Sequence, residues 1–236
     1  MRRVRALAKL TSSLRVTGVR DDGYHRLEAE MVTIDLADVL TFSEGDGFEV
    51  AASDVVGADV GLSFDLVPRA LVAVGRTAHV RLEKRIPVGA GLGGGSADAA
   101  AVLRWAGCDD LTLAASLGAD VPFCLVGGRA RVRGVGEVVE PLPFQSREFT
   151  LLTPPIAVDT AAVYRRWDEL GGPTAEGPND LEPAALAVEP RLAEWRDRLG
   201  KATGRTPRLA GSGSTWFVEG AFPDVVGGVV TRTDRP

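Results

Sequence analysis

A run of glycines directly in front of an alanine-rich segment constrains this chain more than any other feature. Residues 87–101 read PVGAGLGGGSADAAA, and five of the seven positions from Gly89 to Gly95 are glycine. Glycine lets the backbone adopt left-handed and crowded conformations, so that N–H groups rather than side chains can face an anion. The residues after Ser96 are strong helix formers, and the amino end of a helix favours negative charge. The segment therefore predicts a phosphate-binding loop that opens a helix.

Three better-known kinds of loop fit these residues less well. A Walker A loop requires Gly-Lys followed by Ser or Thr, and no lysine lies between Lys84 and Lys201. Residues 91–96 superficially resemble a dinucleotide-binding fingerprint, but its third glycine is missing. A plain turn between a strand and a helix needs only a few residues and one or two glycines. A phosphate cradle is therefore favoured over all three.

Length and composition limit the class of protein. With 236 residues and 45% apolar content, the chain can form one large or two small packed domains. No apolar run approaches the roughly 18 to 20 residues that cross a bilayer, and the N-terminal arginines lack the apolar segment of a signal peptide. We therefore expect a cytoplasmic protein without a membrane partner, with a transit peptide as the weaker alternative. A net charge of −5 argues against a nucleic-acid partner, and two cysteines and two histidines argue against a disulfide framework or a histidine-rich zinc site.

Strand and helix patterns are mixed irregularly along the chain. Alternating and β-branched runs predict strands at 4–10, 14–18, 27–36, 39–42, 48–51, 78–85, 129–133, 137–140 and 149–153. Helical spacing is found at 62–74, directly after the glycine loop, and at 111–117, 160–170, 179–187 and 190–199, with 120–125 as a short apolar connection. This order favours an α+β fold over a doubly wound sheet. We expect two domains, 1–146 and 147–236, the second of them short.

Several other motifs occur in collinear order with the glycine loop, and together they resemble the GHMP kinase family. They are Ala8-Lys9-Leu10, Val16-Thr17-Gly18, Asp22-Gly23-Tyr24-His25, residues 117–123 (LGADVPF), Asn179-Asp180-Leu181-Glu182 and Gly211-Ser212-Gly213-Ser214. The Gly-Tyr-His and Gly-Ala-Asp-Val-Pro pieces narrow the resemblance to the 4-diphosphocytidyl-2-C-methyl-D-erythritol kinases. The resemblance implies a two-domain fold, with an N-terminal domain like domain 2 of ribosomal protein S5 and a ferredoxin-like C-terminal domain.

The resemblance also implies an activity. It is the ATP-dependent phosphorylation of the 2-hydroxyl of the cytidyl diphosphate substrate, with Mg²⁺, in the methylerythritol phosphate pathway to isoprenoid precursors. Asp120 would accept the hydroxyl proton, and Lys9 would orient Asp120 and stabilise the transferring phosphoryl group. Ser96 and Asp120 are candidate metal ligands, and the metal site is otherwise unknown. The residues implied for binding ATP phosphates are Pro87, Val88, Gly89, Ala90, Gly91, Leu92, Gly93, Gly94, Gly95, Ser96 and Ala97.

By the same resemblance, the cytidine base would lie at Tyr24 and His25. Tyr24 would stack on the base, His25 would form hydrogen bonds with its edge, and Tyr164 would supply a second ring. Taken singly, Tyr164 could equally be a core residue, since it shares a helix face with Thr160. The remaining residues implied on the substrate side are Thr11, Thr160, Gly211, Ser212 and Gly213.

Three positions depart from the family pattern. Thr11 and Asp65 each stand where asparagine is expected, and Asp98 stands where a small or amide residue is expected. Thr11 could weaken substrate binding or change how Lys9 is held, whereas an acid at Asp98 is acceptable in a first helical turn. Asp65 would repel phosphate unless it is paired. These departures leave two alternatives open: a GHMP kinase for homoserine, mevalonate or a sugar, and a nucleotide-binding protein without catalysis. We expect a monomer or a homodimer.

Overall fold

A computed structural model describes residues 1–51 and 65–235, and these form a mixed α+β fold with two sheets. The strands are β1 (Arg2–Val19), β2 (His25–Ser43), β3 (Gly47–Ala51), β4 (His79–Glu83), β5 (Arg129–Gly134), β6 (Val138–Pro141), β7 (Glu148–Leu152), β8 (Arg208–Leu209), β9 (Trp216–Glu219) and β10 (Gly228–Arg232). The helices are α1 (Leu66–Ala73), α2 (Gly94–Ala106), α3 (Leu111–Leu117), α4 (Val121–Val126), α5 (Thr160–Glu169), α6 (Glu182–Val188) and α7 (Leu192–Thr203). The predicted α+β class is confirmed.

A long antiparallel hairpin of β1 and β2 forms the centre of the first sheet. The sequence pattern predicted four separate strands here, and that prediction was wrong because the strands are continuous. Register shifts between Leu7 and Lys9 and between Thr11 and Ser13 interrupt the alternation of side chains. Such β-bulges add a residue to one strand without ending it. In the sequence, the resulting break in alternation resembles a gap between two strands. The two bulges also flank Lys9 and Thr11, the residues of β1 that were predicted for the site.

The first sheet has the order β3-β4-β2-β5-β6, with β1 also paired to β2. Helix α2 packs on β1 and on helices α1 and α4. The alanines in its first two turns are fully buried, which brings the helix backbone close to the sheet; they are Ala97, Ala99, Ala100 and Ala101. This close packing places the start of α2 beside the middle of β1.

Two of the predicted segments correspond to the short helices α4 and α1. Residues 120–125 were expected to be an apolar connection, but they lie largely in α4, whose first turn contains Pro122. The segment is short and almost wholly apolar, so it has no periodicity from which a helix can be recognised. The predicted helix at 62–74 is described as α1, while 62–64 lie outside the described residues.

The second sheet is antiparallel, with the order β10-β7-β9-β8. Helices α5, α6 and α7 confirm the helices predicted for this part of the chain, whereas β10 was not predicted. The expected division between 146 and 147 falls in the connection from β6 to β7, and we propose it as the domain boundary. Across the described residues, none of the helices has the length and apolar content to span a membrane.

Candidate active site

The residues predicted for the site, with one exception, line one cavity of about 890 Å³. Its lining comes from β1, the start of β2, the glycine loop, Asp120, α5 and residues 211–213. Every residue predicted for catalysis, ATP or substrate lies on this lining except Ala97, which is buried behind the loop. Residues that are far apart in the sequence therefore share a single cavity.

The glycine loop is tightly packed at its centre. Gly91 has a φ of +75°, and a β-carbon added there would lie 2.2 Å from the carbonyl oxygen of Ala210. Gly93 has a φ of +68°, and a β-carbon there would lie 2.7 Å from Cγ of Lys9. Both positions therefore require glycine for its backbone conformation and for its lack of a side chain.

Helix α2 begins directly from this loop. Gly93 is its N-cap, and the amide of Ala97 donates to the Gly93 carbonyl over 2.8 Å. The amides of Gly94, Gly95 and Ser96 precede that bond, so they belong to the first turn, whose N–H groups point out of the helix. Three successive amides at the positive end of a helix dipole suit a phosphate group.

Lys9 and Asp120 form an ion pair in the cavity. Nζ of Lys9 lies 3.2 Å from Oδ2 of Asp120, and it also donates to Oγ1 of Thr11 over 3.2 Å. The Lys9 side chain is 7% exposed and that of Asp120 is 30% exposed. The ammonium is thus held in place, while the carboxylate remains accessible from the cavity.

Asp120 stands at the N-cap of α4, and one turn later lies Cys124. Burial, followed by the Asp120 charge, raises the pKa of the Cys124 thiol to about 12. A thiol that stays protonated near neutral pH is a poor nucleophile. The Cys124 thiol is therefore not an activated nucleophile.

The side chains of Asn179 and Thr160 hold the glycine–serine loop at 211–213 in place by hydrogen bonds. Asn179 donates through Nδ2 to the carbonyl of Leu209 over 3.0 Å and to that of Gly211 over 2.7 Å. The hydroxyls of Thr160 and Ser212 are 2.8 Å apart. Asn179 was recognised only as part of a motif, and the structure shows what it does: it holds the loop against the cavity.

At the predicted cytidine end of the cavity, His25 makes a contact that the sequence did not predict. The His25 ring is 10% exposed, and its Nε2 lies 2.8 Å from Oδ1 of Asp168. Its centroid is 4.7 Å from that of Tyr164 and 5.6 Å from that of Trp167. Tyr24 is 65% exposed at the rim. Sequence reasoning missed Asp168 because no motif contains it.

A buried ion cluster supports the glycine loop from behind. Lys84 donates to Asp38 and, over 2.9 Å, to Oδ2 of Asp98, and Oδ1 of Asp38 accepts from the amide of Ile86 over 2.8 Å. Asp98 was expected to be a simple first-turn acid, but it is buried, and its Oδ1 has no hydrogen-bond partner among the described residues. Burial raises the pKa of Asp98 to about 8, although the Lys84 ammonium opposes this shift. Asp38 therefore holds the segment that precedes the glycine loop. Asp98 links helix α2, which follows the loop, to Lys84.

Of the other departures, Asp65 is paired. Its carboxylate lies 3.4 Å from the Arg69 guanidinium, one turn along the chain. An acid was expected to be acceptable at this position only if it is paired, and the contact with Arg69 provides that pairing.

Comparison with known proteins agrees with the fold and the cavity. Residues 64–128 match the model of the GHMP kinases N terminal domain. The mevalonate kinase of Methanococcus jannaschii shares the fold with a TM-score of 0.64 at 10% identity, over 100% of this chain and 98% of that one. The chain thus has the GHMP kinase fold, and its glycine loop lies within the matched segment.

More similar relatives identify the family within that class. The 4-diphosphocytidyl-2-C-methyl-D-erythritol kinase of Paracoccus denitrificans is 38% identical over 92% of this chain and 86% of its own length. That of Ruegeria pomeroyi is 38% identical over 92% and 88%. A crystal structure of 4-(cytidine 5'-diphospho)-2C-methyl-D-erythritol kinase superposes with a TM-score of 0.78 at 33% identity, covering 99% of this chain and 100% of that one. The chain belongs to the 4-diphosphocytidyl-2-C-methyl-D-erythritol kinase family, as the motifs predicted.

Proposed function

We propose that this protein transfers the γ-phosphoryl group of ATP to the 2-hydroxyl of 4-diphosphocytidyl-2-C-methyl-D-erythritol, giving the 2-phosphate and ADP. The reaction is a step of the methylerythritol phosphate pathway to isoprenoid precursors. The observation that carries this proposal is the Lys9–Asp120 pair, 3.2 Å apart, in the same cavity as the amino end of α2. The names of the relatives support this choice of substrate.

In the proposed reaction, Asp120 accepts the proton of the attacking hydroxyl. The hydroxyl oxygen forms a new bond to the γ-phosphorus, the bond from that phosphorus to the β,γ-bridging oxygen breaks, and ADP leaves. Lys9 supplies positive charge where negative charge develops, and its contacts to Asp120 and Thr11 hold it in place. Positioning and electrostatic stabilisation of this kind account for most of the rate enhancement in phosphoryl transfer.

The glycine loop is proposed to hold the phosphates of ATP. The amides of Gly94, Gly95 and Ser96 lie in the first turn of α2, where an anion is favoured. Because Gly91 and Gly93 exclude side chains from the middle of the loop, the backbone can approach the nucleotide closely. The loop residues Pro87 to Ser96 line the cavity, and Ala97 supports them from behind.

Mg²⁺ is the metal we propose. Over residues 1–51 and 65–235, no three His, Cys, Asp or Glu side chains are grouped so as to hold a metal ion. Ser96 and Asp120 both line the cavity, and Mg²⁺ is commonly bound through substrate phosphates and one or two carboxylates. Ser96 and Asp120 are the oxygen donors that would hold it, and the ion would neutralise charge on the phosphates of ATP.

The cytidine is proposed to bind between Tyr24 and Tyr164, with His25 at its edge. All three side chains line the cavity. Burial, and then the Asp120 charge, raises the pKa of Tyr164 to about 12, so its ring stays neutral as a stacking surface. Thr11 is proposed to replace the expected asparagine as the polar neighbour of Lys9.

Release of ADP, measured by a coupled assay, tests this function directly. The cytidyl diphosphate substrate should be turned over, whereas homoserine, mevalonate and sugars should not. Tight binding of ATP and CDP by calorimetry without turnover would instead indicate a nucleotide-binding protein that does not catalyse transfer. A cytoplasmic location and a monomeric or homodimeric state also remain predictions.

A further inference from the structure

The contact between His25 and Asp168 joins two distant parts of the chain at the cytidine end of the cavity. His25 begins β2 and Asp168 lies near the end of α5, 143 residues apart, with Nε2 and Oδ1 2.8 Å from each other. Both side chains line the cavity. The contact therefore connects the hairpin turn of the first sheet to a helix that packs on α6.

Aromatic neighbours restrict the His25 ring further. The ring planes of His25 and Tyr164 are tilted by 32°, and Trp167 meets the ring edge-on at 84°. With two rings packed around it and one nitrogen bound to Asp168, the imidazole cannot turn over without losing these contacts. Its orientation is therefore determined by α5.

The carboxylate also determines which nitrogen carries a proton. An ionised carboxylate only accepts hydrogen bonds, so Nε2 of His25 must be the donor. In the neutral ring, Nδ1 is then an acceptor. Over the described residues, Nδ1 has no hydrogen-bond partner within the protein.

We propose that Asp168 is a positioning residue for recognition of the base: it holds His25 by its Nε2–H and so presents Nδ1 as an acceptor to the exocyclic amino group of cytosine. This inference rests on the proposed function. Uracil has a carbonyl oxygen in place of that amino group, and two acceptors facing each other repel. Asp168 thereby contributes to the choice of a cytidine over a uridine diphosphate.

Calorimetric titration with CDP, UDP and ADP tests the assignment. Asp168→Ala should weaken CDP binding about tenfold, as expected for loss of a hydrogen bond to a charged group. UDP and ADP binding should change less than about twofold, so the preference for CDP over UDP should shrink by the same factor. Asp168→Asn keeps a neutral acceptor and should be intermediate.

Glu169→Ala is the matched control, because Glu169 is the neighbouring acid on α5 and pairs with Arg166 in solvent. It should bind all three nucleotides like the wild type. In kinetic assays, Asp168→Ala should raise KM for the cytidyl substrate while leaving kcat and KM for ATP within about twofold.

Three other results would contradict the inference. If Asp168→Ala binds CDP like the wild type, or loses CDP, UDP and ADP affinity equally, the positioning role is wrong and the proposed function stands. If the wild-type protein binds ADP but not CDP, the proposed substrate is itself wrong, and the role of Asp168 falls with it.

Discussion

Lys9 and Asp120 are joined by an ion pair of 3.2 Å between the middle of β1 and the N-cap of α4. The pair lies where the glycine loop meets β1, since the Lys9 amide donates to the Leu92 carbonyl over 3.0 Å. The proposed base, the neighbouring cation and the proposed phosphate-binding loop are thereby linked by one side-chain ion pair and one backbone hydrogen bond. Changes to any of the three should therefore alter the reaction or the binding of nucleotide.

Asp120→Asn should lower kcat by about 10²- to 10⁴-fold, the usual contribution of a general base. The amide keeps the shape of the side chain but cannot take the proton. ADP release under saturating substrates measures the effect. Asp109→Asn, a change of the same kind at an exposed acid, should leave kcat unaltered. Equal rates for the Asp120 variant and the wild type would remove Asp120 from the reaction.

Thr11→Val should lower kcat/KM by about three- to tenfold. Valine has nearly the same shape but removes the hydroxyl that accepts from Lys9, which loosens the ammonium and leaves a buried donor less well satisfied. Thr11→Ser keeps the acceptor and should retain most of the activity. If the valine and serine variants behave alike, the hydroxyl has no part in holding Lys9.

Gly91→Ala should destabilise the protein and abolish ADP binding, whereas Gly107→Ala should do only the former. Both glycines have positive φ, of +75° and +73°, so each alanine costs about 1 to 2 kcal/mol in backbone strain. A β-carbon at Gly107 meets nothing within 4 Å, while one at Gly91 would clash with the Ala210 carbonyl. Urea unfolding and calorimetry separate the two effects. Normal ADP binding by the Gly91 variant would contradict the packing argument.

Asp98 should make stability depend on pH in a definite direction. Burial, more than the neighbouring Asp38 charge, raises its pKa from 3.8 to about 8, so the folded state holds a proton that the unfolded state releases. Its contribution to the free energy of unfolding is fully present below pH 3.8 and is lost as the pH rises to about 8.

Asp98→Asn provides the comparison, because the amide cannot titrate. Between pH 5 and 8.5, urea unfolding should show wild-type stability falling relative to this variant as the pH rises. Parallel profiles for the two proteins would show that Asp98 is ionised throughout the range.

Much of the fold and the site could be predicted where local chemistry decides the structure. The run of glycines and the alanines of α2 are local features, and they predicted a loop that opens a helix, which the positive φ at Gly91 and Gly93 bears out. The collinear motifs predicted the family. They also marked Lys9 and Asp120 as candidate site residues, without any knowledge of the distance between the two side chains. The bulges in β1 and the short helix α4 were missed, because neither leaves a periodic pattern.

The sequence by itself determined the glycine loop that opens α2, the class of fold and the family of this protein, because backbone conformation and helix formation depend on neighbouring residues. Only the tertiary structure decided which polar side chains meet. Lys84 reaches Asp38 across 46 positions, and His25 reaches Asp168 across 143. Such pairs form when packed sheets and helices bring side chains together and exclude water, and no local pattern in the sequence records that event.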